Sequence, residues 1–343
     1  MMIFTGDLYI GDQILEIEES ILHQLNNSNI IVTNFENVLE NQMYTKRADK
    51  VSNLQFSKRS FDNYLNKVKS DIVFTLGNNH LNDLGQDGID ETTSFLEDYK
   101  NIEITGIGLV NDVIIPIIIE DNDKTIAILC VSTDEPEVMS VLATKELMGV
   151  LDYNNEIIID IIKQYKKTVD YFVVIPHWGR EYIDYPAVQL RNKAYNWIDA
   201  GADLIIGHHP HVIQGKEQYK GRWIYYSLGN FIFPEFYSKY GVKHKWKESS
   251  NQSIMLEINF SDDIKINEFG HIFKIKENKL VRFKKSLEEF NLKSQMLDLS
   301  KVTVKRYYGI REKILYKLLH SKYSLLVSLK NTIFNKIKSM LQT

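Results

Sequence analysis

Leu204-Ile205-Ile206-Gly207-His208-His209-Pro210-His211 is the stretch on which the reading of this chain turns. A short apolar, β-rich run ends in three imidazoles within four positions. A buried strand that delivers His-His-x-His has few structural uses, and neutral imidazole is a common metal ligand. The same arrangement recurs upstream. His177 ends a run in Ile175-Pro176-His177-Trp178-Gly179, and Asn78, Asn79 and His80 end another in Leu76-Gly77-Asn78-Asn79-His80. Asn34 and Glu36 close Thr33-Asn34-Phe35-Glu36-Asn37, and Asp7 follows Thr5-Gly6 at the first run. Five strand ends thus carry carboxylate, amide or imidazole. In open α/β sheets, ligands bind in the crevice beyond the carboxyl ends of the strands, so these groups are expected to converge.

The surrounding pattern supports that architecture. Up to about Gly207, apolar runs at 2–5, 30–33, 72–76, 102–105, 125–131, 171–175 and 203–206 alternate with amphipathic stretches at 14–25, 61–68, 89–99, 154–165 and 187–200. Such alternation predicts a layered α/β fold. Beyond Gly207 the pieces read as strands (212–219, 223–227, 253–259, 264–266, 271–275 and 280–283), followed by a mainly helical C-terminus. With six prolines and no Gly/Ser linker, the chain reads as one domain, 1–285, and a C-terminal region, 286–343.

Composition excludes several classes. An apolar fraction of 44% and a charged fraction of 25% over 343 residues are those of a globular protein. The single cysteine, Cys130, rules out a disulfide scaffold and reads as a small buried hydrophobe. The net charge of −4 conceals an asymmetry: residues 301–343 carry ten Lys/Arg against Glu312, leaving −13 on residues 1–300. So acidic a body is a poor nucleic-acid binder. Met1-Met2-Ile3-Phe4 leads directly into Thr5-Gly6-Asp7 with no signal-peptide pattern, and no apolar run is long enough to span a bilayer. The expected location is therefore the cytoplasm.

The ligand types narrow the chemistry. Carboxylate, amide and imidazole without thiolate suit Mn, Fe or Zn rather than Mg. Asp7, Glu36, Asn79, His177, His208, His209 and His211 are too many for one tetrahedral ion. Two divalent ions roughly 3.5–4 Å apart would use them and would clamp both oxygens of an in-line displacement. His80, next to Asn79, is then placed to protonate the leaving group. Trp178, Arg180 and Glu181, with Asn34, Asn78 and Asn230, are the expected substrate contacts, Arg180 suiting an anionic group. Competing motifs fail. Gly106-Ile107-Gly108 lacks the third glycine of a dinucleotide fingerprint, and Ser227 is not in a Gly-x-Ser-x-Gly elbow.

Taken in order, Gly6-Asp7, Thr33-Asn34-Phe35-Glu36, Asn78-Asn79-His80 with Asp83 and Gly85, His177-Trp178-Gly179-x-Glu181-Tyr182, Gly207-His208-His209-Pro210-His211 and Tyr226-Ser227-Leu228-Gly229-Asn230-Phe231 resemble the bacterial capsule-synthesis family typified by CapA/PgsA, the poly-γ-glutamate capsule proteins. The resemblance covers about residues 2–260. It implies a four-layer α/β/β/α sandwich like that of calcineurin-like metallophosphoesterases, with two metals. It also implies roles: Asp7 on the first metal, Glu36 bridging, Asn79 and His177 on the second, His80 as acid, and His209 with His211 as the His-x-His pair. His208 competes with His209 for the register. Tyr9 stands where such enzymes usually carry a histidine, and the N-terminal membrane anchor usual in the family is not seen. The implied function is a metal-dependent hydrolase or transferase of capsule or surface-polymer biosynthesis, acting on an anionic polymer or precursor. The alternatives are a non-catalytic assembly factor that binds a capsule-synthase partner, or a general phosphodiesterase.

The C-terminal region carries its own signal. From 307 to 341, Ile310, Ile314, Leu318, Leu325, Leu329 and Ile333 recur at three- to four-residue steps or multiples of them, interleaved with Lys313, Lys317, Lys330, Lys336 and Lys338. That is the pattern of a basic amphipathic helix, which lies on an anionic membrane or packs on the acidic body. A peripheral position at the inner face of the membrane follows from the first option.

Overall fold

The apolar runs become the strands of two sheets. In the first, Met2–Leu8, Ile30–Phe35, Asp71–Thr75 and Ile102–Thr105 lie side by side and parallel. Gln252–Asn259, Lys265–Lys274 and Lys279–Arg282 extend that sheet antiparallel beyond Met2–Leu8. In the second, Lys124–Val131, Tyr171–Pro176, Leu204–Ile206 and Arg222–Tyr225 are parallel neighbours, edged by the antiparallel strands Ile117–Asp121 and Lys216–Tyr219. This computed structural model describes residues 1–41, 43, 52–238 and 240–297.

Burial on both faces explains why the parallel strands read as continuous Val/Ile/Phe runs. One face of the first sheet, with Ile3, Ile31, Ile72 and Phe74, packs under the helices Glu19–Asn26, Lys58–Lys67 and Gly85–Glu97 through Ile21, Leu25, Phe61, Tyr64, Ile89 and Leu96. Its other face, with Met2, Phe4, Val32 and Val73, meets Ile126, Ile128, Val173, Ile175, Leu204 and Ile206 of the second sheet. The far side of the second sheet buries Ala127, Leu129, Phe172, Val174 and Ile205 beneath Ile157–Tyr165 and Val188–Ala200, whose Ile158, Ile162, Ala194 and Trp197 are also buried. The result is an α/β/β/α sandwich. Cys130 is buried between the sheets, as its apolar setting predicts.

Some local expectations need correction. The stretch 14–25 is not one helix: Glu16–Ile17 is a short strand and the helix is Glu19–Asn26. The pieces 264–266 and 271–275 fuse into the single strand Lys265–Lys274. Ile117–Asp121 and Asn230–Ile232 are strands with no counterpart in the sequence reading, because each owes its state to a distant neighbour. The helix Lys284–Leu297 lies on the strands Lys265–Lys274 and Lys216–Tyr219, its Lys293 Nζ donating to Ile213 O at 2.7 Å. The basic amphipathic segment lies outside the described residues. Among the described residues, no helix is long and apolar enough to cross a membrane.

Candidate metal centre

The five strand ends meet, drawn from both sheets of the sandwich. Met2–Leu8, Ile30–Phe35 and Asp71–Thr75 bring Asp7, Asn34, Glu36 and Asn79 from the first sheet. Tyr171–Pro176 and Leu204–Ile206 bring His177 and His208 from the second, these two residues forming an isolated parallel bridge. A bulge sets the first contribution. The register between Met2–Leu8 and Ile30–Phe35 slips between Thr5 and Asp7, at Gly6. A Cβ on Gly6 would lie 2.0 Å from Gly229 O, so only glycine lets the two backbones approach. Asp7 N then donates to Gly229 O at 2.8 Å, and the carboxylate turns into the centre.

Asp7 and Glu36 are both 0% exposed. One Asn34 amide group joins them: Nδ2 donates to Asp7 Oδ1 at 2.9 Å and to Glu36 Oε1 at 2.7 Å. Asn34 Oδ1 accepts from Asn78 Nδ2 at 3.2 Å, and Asn78 also donates to Phe35 O at 3.0 Å. The other oxygens, Asp7 Oδ2 and Glu36 Oε2, have no hydrogen-bond partner among the described residues. Buried carboxylate oxygens without donors are costly. Each lies near an imidazole, His211 Nδ1 at 3.5 Å from Asp7 Oδ2 and His211 Nε2 at 3.7 Å from Glu36 Oε2. Ligand atoms of Asp7, Glu36 and His211 all fall within 4.8 Å of one another.

The imidazoles are aimed by their second nitrogens, as is usual around metal ions. His211 Nδ1 is 2.8 Å from Asn230 Oδ1, and Asn230 is itself fixed by donating to Ser250 O at 2.9 Å. His208 Nδ1 lies 2.8 Å from Asp7 Oδ1. His177 Nε2 is 3.0 Å from Asn79 Oδ1, and its Nδ1 is 3.7 Å from Glu36 Oε1. His209 Nε2 meets Glu137 O at 3.0 Å; its ring sits 4.7 Å from that of His177, and its buried Nδ1 has no hydrogen-bond partner. His208 therefore stands with Asp7 and His209 with His177, so both belong to the cluster. His209 and His211 have φ of 95° and 54° on either side of Pro210, a left-handed backbone that non-glycine residues adopt at a cost.

Electrostatics follow from this packing. Burial pushes the Asp7 carboxyl up, but the adjacent imidazoles of His208 and His211 outweigh it and hold Asp7 well below its ordinary value. For Glu36 the balance is reversed: burial and the Asp7 charge outweigh His211 and the Asn34 hydrogen bond and raise it well above. Burial would neutralise His211, yet Glu36 and Asp7 lift it to about 10, whereas burial takes His209 down to about 4. Burial and His209 also hold His177 well below its usual value. The two carboxylates thus draw positive charge to the centre.

His80 stands at the rim of this cluster. Its backbone N–H donates to Asn78 Oδ1 at 2.9 Å, and its Nδ1 lies 2.8 Å from Asp83 Oδ2. Asp83 is fully buried and also accepts the Leu54 N–H at 2.7 Å. The role of Asp83 as the partner that orients His80 was not assigned from sequence; an acid three residues after the histidine, in the same turn, was the available signal. Other expected contacts are placed differently from one another. Trp178 is a core side chain, stacked on Trp197 and Tyr226 with its indole N–H donated to Tyr226 O at 3.0 Å. Arg180 pairs with Glu137 at 2.9 Å on the surface. Burial pushes the Glu181 carboxyl up, but His211, His209 and His80 outweigh it and hold it below its ordinary value. Asn34, Asn78 and Asn230 are buried and support the carboxylates and His211. Tyr9 packs its ring on Phe233 and Phe236.

Residues 2–235 match the family described as bacterial capsule synthesis protein PGA_cap. The chain belongs to that family. The matched span holds every member of the cluster from Asp7 to Asn230. Two relatives are the PGA biosynthesis protein CapA of Bacillus subtilis, 36% identical over 253 residues, and the capsule biosynthesis protein CapA of Bacillus anthracis, 30% identical over 253 residues. Each alignment takes in 69% of this chain, and 64% and 61% of those relatives respectively. The chain therefore spans less than two thirds of the length of either. Among solved structures, the calcineurin-like phosphoesterase YfkN of Bacillus subtilis is similar at 14% identity and a TM-score of 0.40, over 85% of this chain and 95% of that one.

Proposed function

We propose that the cluster holds divalent metal ions and that the protein is a phosphoesterase-like hydrolase or transferase of capsule or surface-polymer biosynthesis. The observation that carries this reading is the pair of buried oxygens Asp7 Oδ2 and Glu36 Oε2, which have no hydrogen-bond partner among the described residues and lie 3.5 and 3.7 Å from His211 nitrogens. An ion satisfies both, and the donor set of carboxylate, amide and imidazole fits Mn, Fe or Zn. Asp7, Glu36 and His211 would hold an ion, with Asn79, His177, His208 and His209 the further donors beside them. Ions bound there would supply Lewis-acid polarisation of a phosphoryl oxygen and an acidified water.

The chain's own residues supply the rest. Asn34 keeps the two carboxylates side by side, and Asn230 holds the His211 ring in orientation. Asp83 fixes His80 Nδ1, which makes Nε2 the atom that would give its proton to the leaving oxygen as water attacks phosphorus and the P–O bond breaks. The test joins elemental analysis after Mn reconstitution to assays on phosphomonoesters, phosphodiesters and γ-glutamyl amides. His80→Asn should retain metal and lower turnover about 10²–10⁴-fold. A wild-type protein that takes up no metal would overturn the proposal, as would a His80→Asn variant with unaltered turnover.

A further inference from the structure

Exposed large apolar side chains are scattered over the described surface with one exception: Tyr237, Tyr240 and Val242, at 65%, 73% and 65% exposure, crowd a single hairpin. The hairpin is built to project. Gly241, at φ 72°, makes its turn. Ser238 N donates to Val242 O at 2.9 Å and Gly241 N to Ser238 O at 2.9 Å. Tyr237 and Lys243 pair across it, and His244 N closes onto Phe236 O at 2.8 Å. Its base is seated firmly. Phe236 and Trp246 pack with Tyr9 and Phe233, and the Trp246 ring lies 5.5 Å from that of His211. Residues 240–247 carry Lys243, Lys245 and Lys247 and no acid, although the body to residue 300 has a net charge of −13. All three lysines are exposed, Lys243 pairing with Glu235 at the base.

We infer that this hairpin docks the protein on an anionic lipid bilayer, with the metal-centre side of the sandwich turned toward the membrane. Three side chains at a tip offer about 400 Å² of contact, well under the roughly 1,000 Å² that a stable protein partner needs. Shallow insertion into a lipid interface needs only such a tip, with tyrosines suited to that depth and lysines drawn by anionic headgroups. Two backbone hydrogen bonds, Ser238 N to Val242 O and Gly241 N to Ser238 O, are made within the tip, which favours a poorly hydrated interface. A soluble polyanion would use the lysines and leave Tyr237, Tyr240 and Val242 without a role.

The test uses the full chain carrying Tyr240→Cys labelled with an environment-sensitive fluorophore, Cys130 being buried and out of reach. Vesicles of two parts phosphatidylcholine to one part phosphatidylglycerol should shift the emission to the blue, and pure phosphatidylcholine should not. In the unlabelled protein, joint replacement of Tyr237, Tyr240 and Val242 by serine should weaken vesicle binding about 10-fold, with circular dichroism unchanged. A label that does not respond to anionic vesicles overturns the inference, even if the basic C-terminal segment brings the chain to the membrane. A response to soluble polyglutamate with none to vesicles overturns it too.

Discussion

Asn34→Leu should cost about 3 kcal/mol when metal is withheld and much less when it is supplied. The magnitude comes from the two hydrogen bonds that Asn34 donates to Asp7 and Glu36. Bonds to charged groups contribute about 1.5–3 kcal/mol each, and leucine of similar volume returns roughly 1 kcal/mol of apolar burial. The Coulomb side agrees. Ligand oxygens of the two carboxylates lie within 4.8 Å of each other. At that distance two like charges repel by about 3.5 kcal/mol at an effective dielectric of 20. The Asn34 amide offsets this, and so does a cation, which is why the loss should depend on metal. Urea unfolding in chelator and in saturating Mn measures both values. Asn34→Asp sharpens the contrast, since a third carboxylate is worse without the ion and tolerated with it. Equal losses in the two buffers, or a loss below about 1 kcal/mol in chelator, would refute the role assigned to Asn34.

Two further outcomes are expected. His271 is fully buried, and burial, then Arg282, hold it at about 3 against an ordinary 6.5. With a depressed folded-state value, its contribution is complete above pH 6.5 and is lost as pH falls from 6.5 toward 3, by up to about 1.4 kcal/mol per pH unit. His271→Phe should flatten the fall in urea stability between these limits, and an unchanged slope would contradict the assignment. Gly6→Ala puts a Cβ 2.0 Å from Gly229 O and should cost more than about 3 kcal/mol or prevent folding. Gly85→Ala, at φ 74° with nothing within 4 Å, should cost about 1 kcal/mol, and thermal melts of the pair compare them directly.

The convergence of the cluster residues was legible because each stands where an apolar run stops, and that boundary is a local property of the chain. His208 followed from the end of Leu204–Ile206 and His177 from the end of Tyr171–Pro176. The two-sheet sandwich came from the family resemblance; the residues alone did not say that Ile102–Thr105 ends one sheet and Ile117–Asp121 edges another. Asn230–Ile232 was missed for the same reason: three residues become a strand only because Met2–Leu8 lies beside them. Trp178 was misleading because its neighbour His177 faces the cluster, whereas its own ring points into the core.

The strand that carries Asp7 is made before all of its partners and is completed only when the last of them arrives. Met2–Leu8 has Ile30–Phe35 on one side, but its other side waits for Gln252–Asn259 and Asn230–Ile232. Asp7 and the His208 it holds are 201 residues apart. At a synthesis rate of about 5–20 residues per second, ten seconds or more separate the two on the ribosome. During that interval Asp7, Asn34 and Glu36 exist without their imidazoles, so no early fragment can capture an ion in the native geometry. Assembly of the centre thus reports completion of the whole sandwich, and truncation before Asn259 would leave neither a finished first sheet nor a closed cluster.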